Sequence, residues 1–398
     1  LVLFGATGFT GRLVAAHLAM RYQDKPFNWA IAGRNREKLL QLQQDICLEW
    51  PQARPDCLVA HCDDQASLET MTGKTRVLLT TAGPYIHHGL PVARACVRSR
   101  THYCDLTGEP EYVDLLMQQV DAEARAQGVR IVNCCGFDSI PHDFGVFYTS
   151  QQVNAALGHV PQSLIIEGFV RSKGRFSGGT WHSAVHAFAR QPMSRLVSLP
   201  GQRRQSRHNL RQSHSRHVEA LQPMISYRKK FAAWSCPLPT IDPQVVLRTA
   251  QTMDSYGEEF LYGHYVLVKR LPQMVLGLAA VGGIFSMARF RPTRNWLLKR
   301  QARGEGPSAE VRKRSHFSVT FSARADGKRL LTQVSGGDPG YDETARMLGE
   351  TGLCLALDKE LPEHAGVITP VLAGGAPLLK RLQQVLTFRV IDKSRLQD

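Results

Sequence analysis

Gly5, Gly8 and Gly11 recur at every third position straight after the apolar run "LVLF". Glycine is costly to order, so such a run needs a reason. A dinucleotide pyrophosphate, bound where a first strand turns into a first helix, supplies one. It demands a tight bend, close approach of the backbone and hard helix–strand packing, and each demand excludes a side chain. The helix start adds free N–H groups and the positive end of its dipole. Within "GATGFTG", Thr7 and Thr10 offer hydroxyl donors, and Phe9 can cover the pocket or staple the helix. A glycine triplet alone is a weak signal; the strand before it and the helix after it give it weight.

About twenty residues beyond Gly11, where an acid would hold a ribose 2′-hydroxyl, the chain reads "AIAGRN". Gly33 leaves space, and Arg34 brings a guanidinium suited to bidentate contact with a 2′-phosphate. Lys38 lies one helical turn on and can assist. These residues favour NADP(H) over NAD(H). Asp63, ending "HCDD", is placed to accept from an adenine amino group, and Ala82, Gly83 and Pro84 in "TTAGPY" to bring backbone close to the nicotinamide-side ribose.

Hydride transfer asks little of the protein beyond alignment and, usually, a proton donor. Tyr85 is a candidate donor, with packing over the cofactor as its alternative role. His87 and His88 begin the next helix, and His88 is a second candidate. Tyr103, Asp105 and Glu109 flank the end of one strand, and "CCGFDSIPHD" places Asp138, Ser139 and His142 beyond the next. Asp138 is the third catalytic candidate, against the alternative that it ties a turn by hydrogen bonds. No Tyr-x-x-x-Lys or Ser-x-x-x-Lys pair is placed for a short-chain-dehydrogenase mechanism.

The elements that must position these groups follow from periodicity. Short apolar runs at 1–4, 28–32, 57–61, 76–80, 101–105 and 130–134 alternate with helix-like segments. One helix starts near Phe9, "NREKLLQLQQDI" forms another, a third follows Leu90, and "EYVDLLMQQVDAEARAQG" ends on Gly128. Alternation of this kind means a doubly wound parallel sheet. The rhythm changes after residue 140. "SLIIEGFV" reads as a strand and 178–189 as a helix. Residues 316–336 read as a hairpin turning at Asp326-Gly327, so an antiparallel sheet is expected. The tail from Tyr341 returns to helix. The expected fold is α/β: a Rossmann domain over 1–140, an α+β substrate domain over 141–336, and a helical return over 337–398 packing on the first domain.

At 398 residues the chain is too long for one small core. A net charge of +15 favours anionic partners. The basic run 203–217 reads foremost as a solvated loop and lacks the interleaved aromatics that suit single-stranded nucleic acid. The apolar core from Met274 to Ala288, inside the segment 271–292, is shorter than the roughly 20 residues of a membrane span. A buried helix pair is the first expectation there; an interfacial segment or the wall of a pocket for a greasy substrate is the alternative. The nine cysteines include no C-x-x-C pair, so reduced thiols and no metal site are expected. No signal peptide is visible; a cytoplasmic setting, with peripheral contact at the inner membrane surface, is expected.

"GATGFTG", "AGR", "AGPY", "CDLTGE" and "GFDSIPHD", with the tail "GYDETARMLGETGLCLALD" and "GVITPVLAGG", resemble one family. The chain is similar to the saccharopine dehydrogenase-like oxidoreductases, in particular the branch that includes the trans-acting enoyl reductases of lipid biosynthesis. The resemblance is specific over the first 145 residues and from 337 to 375. It implies a Rossmann domain with an α+β domain inserted before the closing helices, and NADP-dependent reduction. The glycine turn departs from the shorter pattern of the saccharopine reductases themselves, so saccharopine is not the expected substrate. The resulting expectation is an NADPH-dependent oxidoreductase reducing an activated C=C or C=O of a hydrophobic acyl or polyketide-type substrate, working as a homodimer with no specific nucleic acid. A non-catalytic NADP(H)-binding regulator or scaffold is the alternative.

Overall fold

The seven strands of the nucleotide-binding half are short, three or four residues each. In the computed structural model, which describes residues 1–22, 27–173, 185, 216–222, 224–238, 240–299 and 306–392, six of them are β1 (Val2–Phe4), β2 (Ala30–Gly33), β3 (Asp56–Val59), β4 (Val77–Thr80), β5 (His102–Asp105) and β6 (Arg130–Val132). The seventh, β14 (Gly366–Ile368), arrives from far along the chain. All pair in parallel in the order β3-β2-β1-β4-β5-β6-β14. The order reverses between β1 and β4, the crevice where such sheets bind ligands. Every residue of β1, β2 and β4 is buried, which is why these runs are apolar without alternation.

Local chemistry sets the helix starts. Asn35 accepts from the Lys38 N–H and begins α2 (Arg36–Glu49). Asp64 accepts from Ala66 and Ser67 at the start of α3 (Gln65–Thr72). The helix α1 runs Phe9–Tyr22. The next helix, α4 (Tyr85–Arg98), begins before Leu90 and carries Pro91 inside it. The Glu109 carboxylate takes the N–H groups of Tyr85 and Ile86, so the helix starts six residues upstream of the proline that the sequence offers as its first turn. The helix expected through Gly128 divides into α5 (Pro110–Gln119) and α6 (Asp121–Ala126), because Val120 leaves helical geometry at φ −134°.

A long helix, α7 (Ile140–Leu157), leads into the second sheet and stops at Gly158 with φ +80°. That sheet contains β7 (Ser163–Lys173), β8 (His217–Ala220), β9 (Ser226–Arg228), β10 (Ala233–Pro237), β11 (Glu259–Val268), β12 (His316–Ala325), β13 (Lys328–Gly336) and β15 (Thr387–Asp392). It is mixed: β12 and β13 form the expected antiparallel hairpin about Asp326-Gly327, while β11 runs parallel to both β7 and β8. Between these strands lie α8 (Asp242–Thr252), α9 (Leu271–Arg289), α10 (Arg291–Lys299) and α11 (Ala309–Lys313). The helix expected at 178–189, Val185 apart, and the basic run 203–217, except Arg216 and His217, lie outside the described residues.

The C-terminal segment joins the two sheets. The helix α12 (Asp342–Leu357) leaves the second sheet and packs on α1 and β4. β14 then enters the first sheet, α13 (Pro370–Leu382) packs on α7, and β15 closes the second sheet beside β13. Met347 and Cys354 on one side of α12 belong to the core under the second sheet, and Ala345, Leu348 and Leu353 to the core of the first.

Segment 271–292 corrects the expectation of a buried pair. Nearly all of it is one continuous helix, α9, long and apolar enough by length and composition to cross a membrane and mostly exposed.

Candidate active site

The turn after β1 is built as a phosphate cradle requires. Gly5 sits at φ +82°, and its N–H and that of Ala6 both donate to the Ala32 carbonyl of β2. Thr81, after β4, donates its hydroxyl to the Gly5 carbonyl at 3.0 Å. A side chain on Gly11 would meet that same carbonyl at 2.2 Å, so α1 can approach the turn only as glycine. A Cβ on Gly8 would meet only the Gly5 carbonyl, at 3.3 Å, and otherwise opens to free space. Thus Gly5 and Gly11 serve the bend, and Gly8 leaves open space beside the turn. The first turn of α1 carries no acid, so its N–H groups and dipole act on an anion unopposed. Thr7 and Thr10 stand at this turn. Phe9 does not face an empty pocket: its ring packs edge-on to Tyr341 at 4.7 Å, with the Arg312 guanidinium above it.

At the end of β2, Arg34 and Lys38 are exposed, and among the described residues Arg34 makes no ion pair or hydrogen bond. Its charge reaches Cys62, whose thiol is raised by burial and by Asp63 and pulled back by Arg34. Arg34 and Asp63 therefore flank one end of the crevice. Gly33 needs no special explanation: an added Cβ would make ordinary 3.8 Å contacts with Thr7 and Leu39. Ala82, Gly83 and Pro84 follow β4 with a cis Gly83-Pro84 peptide.

Tyr85 turns inward. Its hydroxyl donates to the Thr80 carbonyl at 3.0 Å and accepts from the Leu106 N–H, and its ring stacks on Tyr112. Burial, then the Asp105 charge, pushes its phenol well above the ordinary value. The ring is thus packed inside the fold on Tyr112, and the hydroxyl is engaged with the backbone of Thr80 and Leu106. His88 has His87 as its ring neighbour and carries an enclosed Nδ1 without a partner.

Beyond β5 and β6 the carboxylates divide by environment. Asp105 is wholly buried and accepts from Tyr103, Thr107, Asn133 and Cys134, holding Cys134 at φ +62°. Burial raises it to about 6. Asp143 accepts from the Thr249 hydroxyl and the Val371 N–H, tying α7 to α8 and α13, and burial raises it to about 7. Both are structural hubs. Asp138 differs: it is half-buried and, among the described residues, its carboxylate accepts no hydrogen bond. It lies against the β5 loop, where a side chain on Gly108 would meet its Oδ2 at 2.8 Å. Burial, then the charge of Asp242, lifts it to about 6, with His142 opposing.

The groups behind Asp138 come from α7, the start of α8 and β11. His142 Nδ1 lies 2.7 Å from Asp242 Oδ1, and His264 Nε2 lies 3.6 Å from Asp242 Oδ2, all three buried. Burial would raise Asp242, but His142 and then His264 outweigh it and hold the carboxyl below its usual value. Burial drives His264 down to about 3, so it is a neutral ring. Asp242 and His264 escaped sequence reasoning; the only local signal was Asp242-Pro243, which marks a helix start.

A parallel sheet of this order, with an open glycine turn after β1 and an exposed guanidinium at the end of β2, has the architecture of a dinucleotide-binding domain. The model of the saccharopine dehydrogenase NADP binding domain matches residues 1–132. A trans-acting enoyl reductase of Mycobacterium ulcerans is 32% identical over 100% of this chain and 98% of its own. A human saccharopine dehydrogenase-like oxidoreductase is 30% identical over the same shares, 100% and 98%. Among solved structures, the apo saccharopine dehydrogenase (L-Glu forming) of Saccharomyces cerevisiae matches 98% of this chain and 99% of its own, at TM-score 0.52 and 12% identity. The chain belongs to the saccharopine dehydrogenase-like oxidoreductase family, and it is an NADP-dependent oxidoreductase.

Proposed function

We propose that the protein uses NADPH to reduce an activated double bond, a C=C conjugated to a carbonyl or a C=O, in a hydrophobic acyl or polyketide-type substrate. The observation that carries this reading is Asp138. It is a half-buried carboxyl against Gly108, raised to about 6, that accepts no hydrogen bond among the described residues and lies beyond the strand ends, where such sheets hold the nicotinamide side of their ligand. The name of the trans-acting enoyl reductase, matched along its whole length, supports the C=C form.

When bound, NADPH supplies the hydride. The chain's own residues supply the rest. The Gly5–Gly11 turn and the start of α1 bind the pyrophosphate, and Arg34, with Lys38, takes the 2′-phosphate. Asp63 accepts from the adenine amino group. Burial, then the Asp242 charge behind it, raises the Asp138 carboxyl to about 6, so that it carries the proton it would donate in the mildly acidic range and gives it up as pH rises through that value. His142 and His264 fix Asp242. Tyr85 and Glu109 hold the start of α4 and the β5 loop, so that the cleft floor stays in register.

The test is oxidation of NADPH, followed at 340 nm, against a panel of long-chain enoyl thioesters and 3-oxoacyl thioesters. Turnover with enoyl thioesters supports the C=C form. Turnover with oxoacyl thioesters alone selects C=O. NADPH occupancy without oxidation of any acyl substrate sinks the proposal.

A further inference from the structure

Among the described residues, nothing packs against the middle of α9. Residues 275–283, "VLGLAAVGG", are exposed on every side of the helix for two and a half turns. Leu276 is 71% exposed and Val275 57%. Side chains added at Gly277, Gly282 or Gly283 would meet nothing within 4 Å. A helix apolar all round needs an apolar surrounding on all sides. Burial resumes only at its ends, at Met274 and at Phe285 and Ala288, the last packed with Leu297 of α10.

The flanks identify the surrounding. Lys269, Arg270, Arg289 and Arg291 are exposed at the two ends, and no acid occurs from 260 to 304. A second copy laid on this helix in either direction would bring cations against cations. Anionic lipid headgroups complement them. Exposed Phe290 and Trp296 add aromatic side chains of the kind that sit at headgroup level. Crossing the bilayer does not fit: the chain enters α9 straight from β11, which ends at Val268, and by Gly306 it is back against the Phe9 ring of α1, so both flanks belong to one folded body. A helix about 10–12 Å thick fits lengthwise within one leaflet of a hydrocarbon core about 30 Å deep.

We infer that α9 is a membrane anchor, lying within one leaflet of an anionic bilayer with its basic ends at the headgroups. It would hold the reductase against the phase in which long acyl chains reside, although the anchor itself does not depend on that activity.

The experiment is flotation of the full chain with phosphatidylcholine vesicles, with and without about one-third phosphatidylserine, at low and high salt. Binding to the anionic vesicles is expected, weakened about tenfold by 0.5 M salt. Leu276→Glu with Val281→Glu should cut that binding about 100-fold while leaving thermal unfolding and NADPH binding unchanged. Absence of flotation at low salt overturns the inference, as does equal binding by the double variant. Salt-independent binding to both vesicle types overturns the anionic assignment. A dimer in light scattering that the same double variant splits would assign the helix to a second copy instead.

Discussion

Arg34 and Asp138 both lie near the crevice and, among the described residues, neither side chain has a hydrogen-bond partner; the rest follows from what each lacks. An exposed guanidinium with no ion pair has its full bidentate capacity for a 2′-phosphate. Replacing it by aspartate puts a like charge against that phosphate and an acceptor against a ribose hydroxyl. Arg34→Asp is expected to weaken NADPH about 10–100-fold, as loss of a charge-assisted pair does, and to favour NADH. Isothermal titration of both nucleotides checks this, and an unchanged NADPH preference rejects the role. Asp138 must carry its proton to act, so kcat/KM for NADPH oxidation should fall as pH rises through about 6. Asp138→Asn should lose about 10²–10⁴-fold in rate and lose that pH limb as well. A variant that keeps the limb assigns the titration elsewhere. Of this pair, Arg34 was legible in the sequence because its meaning is local: a residue at a strand end a fixed distance from the glycines. The environment of Asp138 was not, because Asp242 and His264 reach it from over 100 residues away, through a sheet whose pairing no short window encodes.

At the scale of elements, the strand-turn-helix unit separates folding from binding within one motif. Gly11→Ala sets a Cβ at 2.2 Å from the Gly5 carbonyl, a contact only backbone movement relieves. It should cost several kcal/mol, about 1–3 or more by the ordinary cost of overpacking, and lower Tm. Gly8→Ala meets that carbonyl at 3.3 Å, which a small shift accommodates, but its methyl fills the ligand side. Its Tm should stay near wild type while NADPH binding weakens by about tenfold or more. Thermal melts with and without NADPH distinguish the two, and equal losses in both properties would show that the glycines do not divide these tasks. The six sheet runs of the first 134 residues were legible for the reason this motif was: each repeats one local rule. Pro91 misled because the true start of α4 is fixed by Glu109, a carboxylate from the next loop. The strand β14 was missed altogether: three buried residues among helices leave no periodicity to count.

For the whole molecule, the C-terminal segment makes the two sheets one cooperative unit. It supplies β14 to the first sheet and β15 to the second, and between them α12 and α13 enter both cores. The junction is pinned by Glu350, fully buried on α12. It accepts from His17 Nε2 at 3.0 Å and Arg21 Nε at 2.7 Å on α1, with Arg381 Nη1 of α13 at 3.4 Å. Burial alone would raise this carboxyl, but the hydrogen bonds and charges of His17 and Arg21 outweigh it and hold it below 4.5. A group depressed in the folded state adds stability above its unfolded pKa and loses it as pH falls through its folded pKa. Glu350→Gln leaves three cationic or ring donors around a neutral amide, and breaking a buried ion pair from one side costs about 3–5 kcal/mol. Urea unfolding at pH 7 should show that loss in one transition, reported alike by probes in both sheets. The gap between wild type and variant should be full above about pH 4.5 and narrow on further acidification. A gap that widens with acid reverses the assigned sign. Two separate transitions would mean that the segment decorates two independent domains instead of joining them.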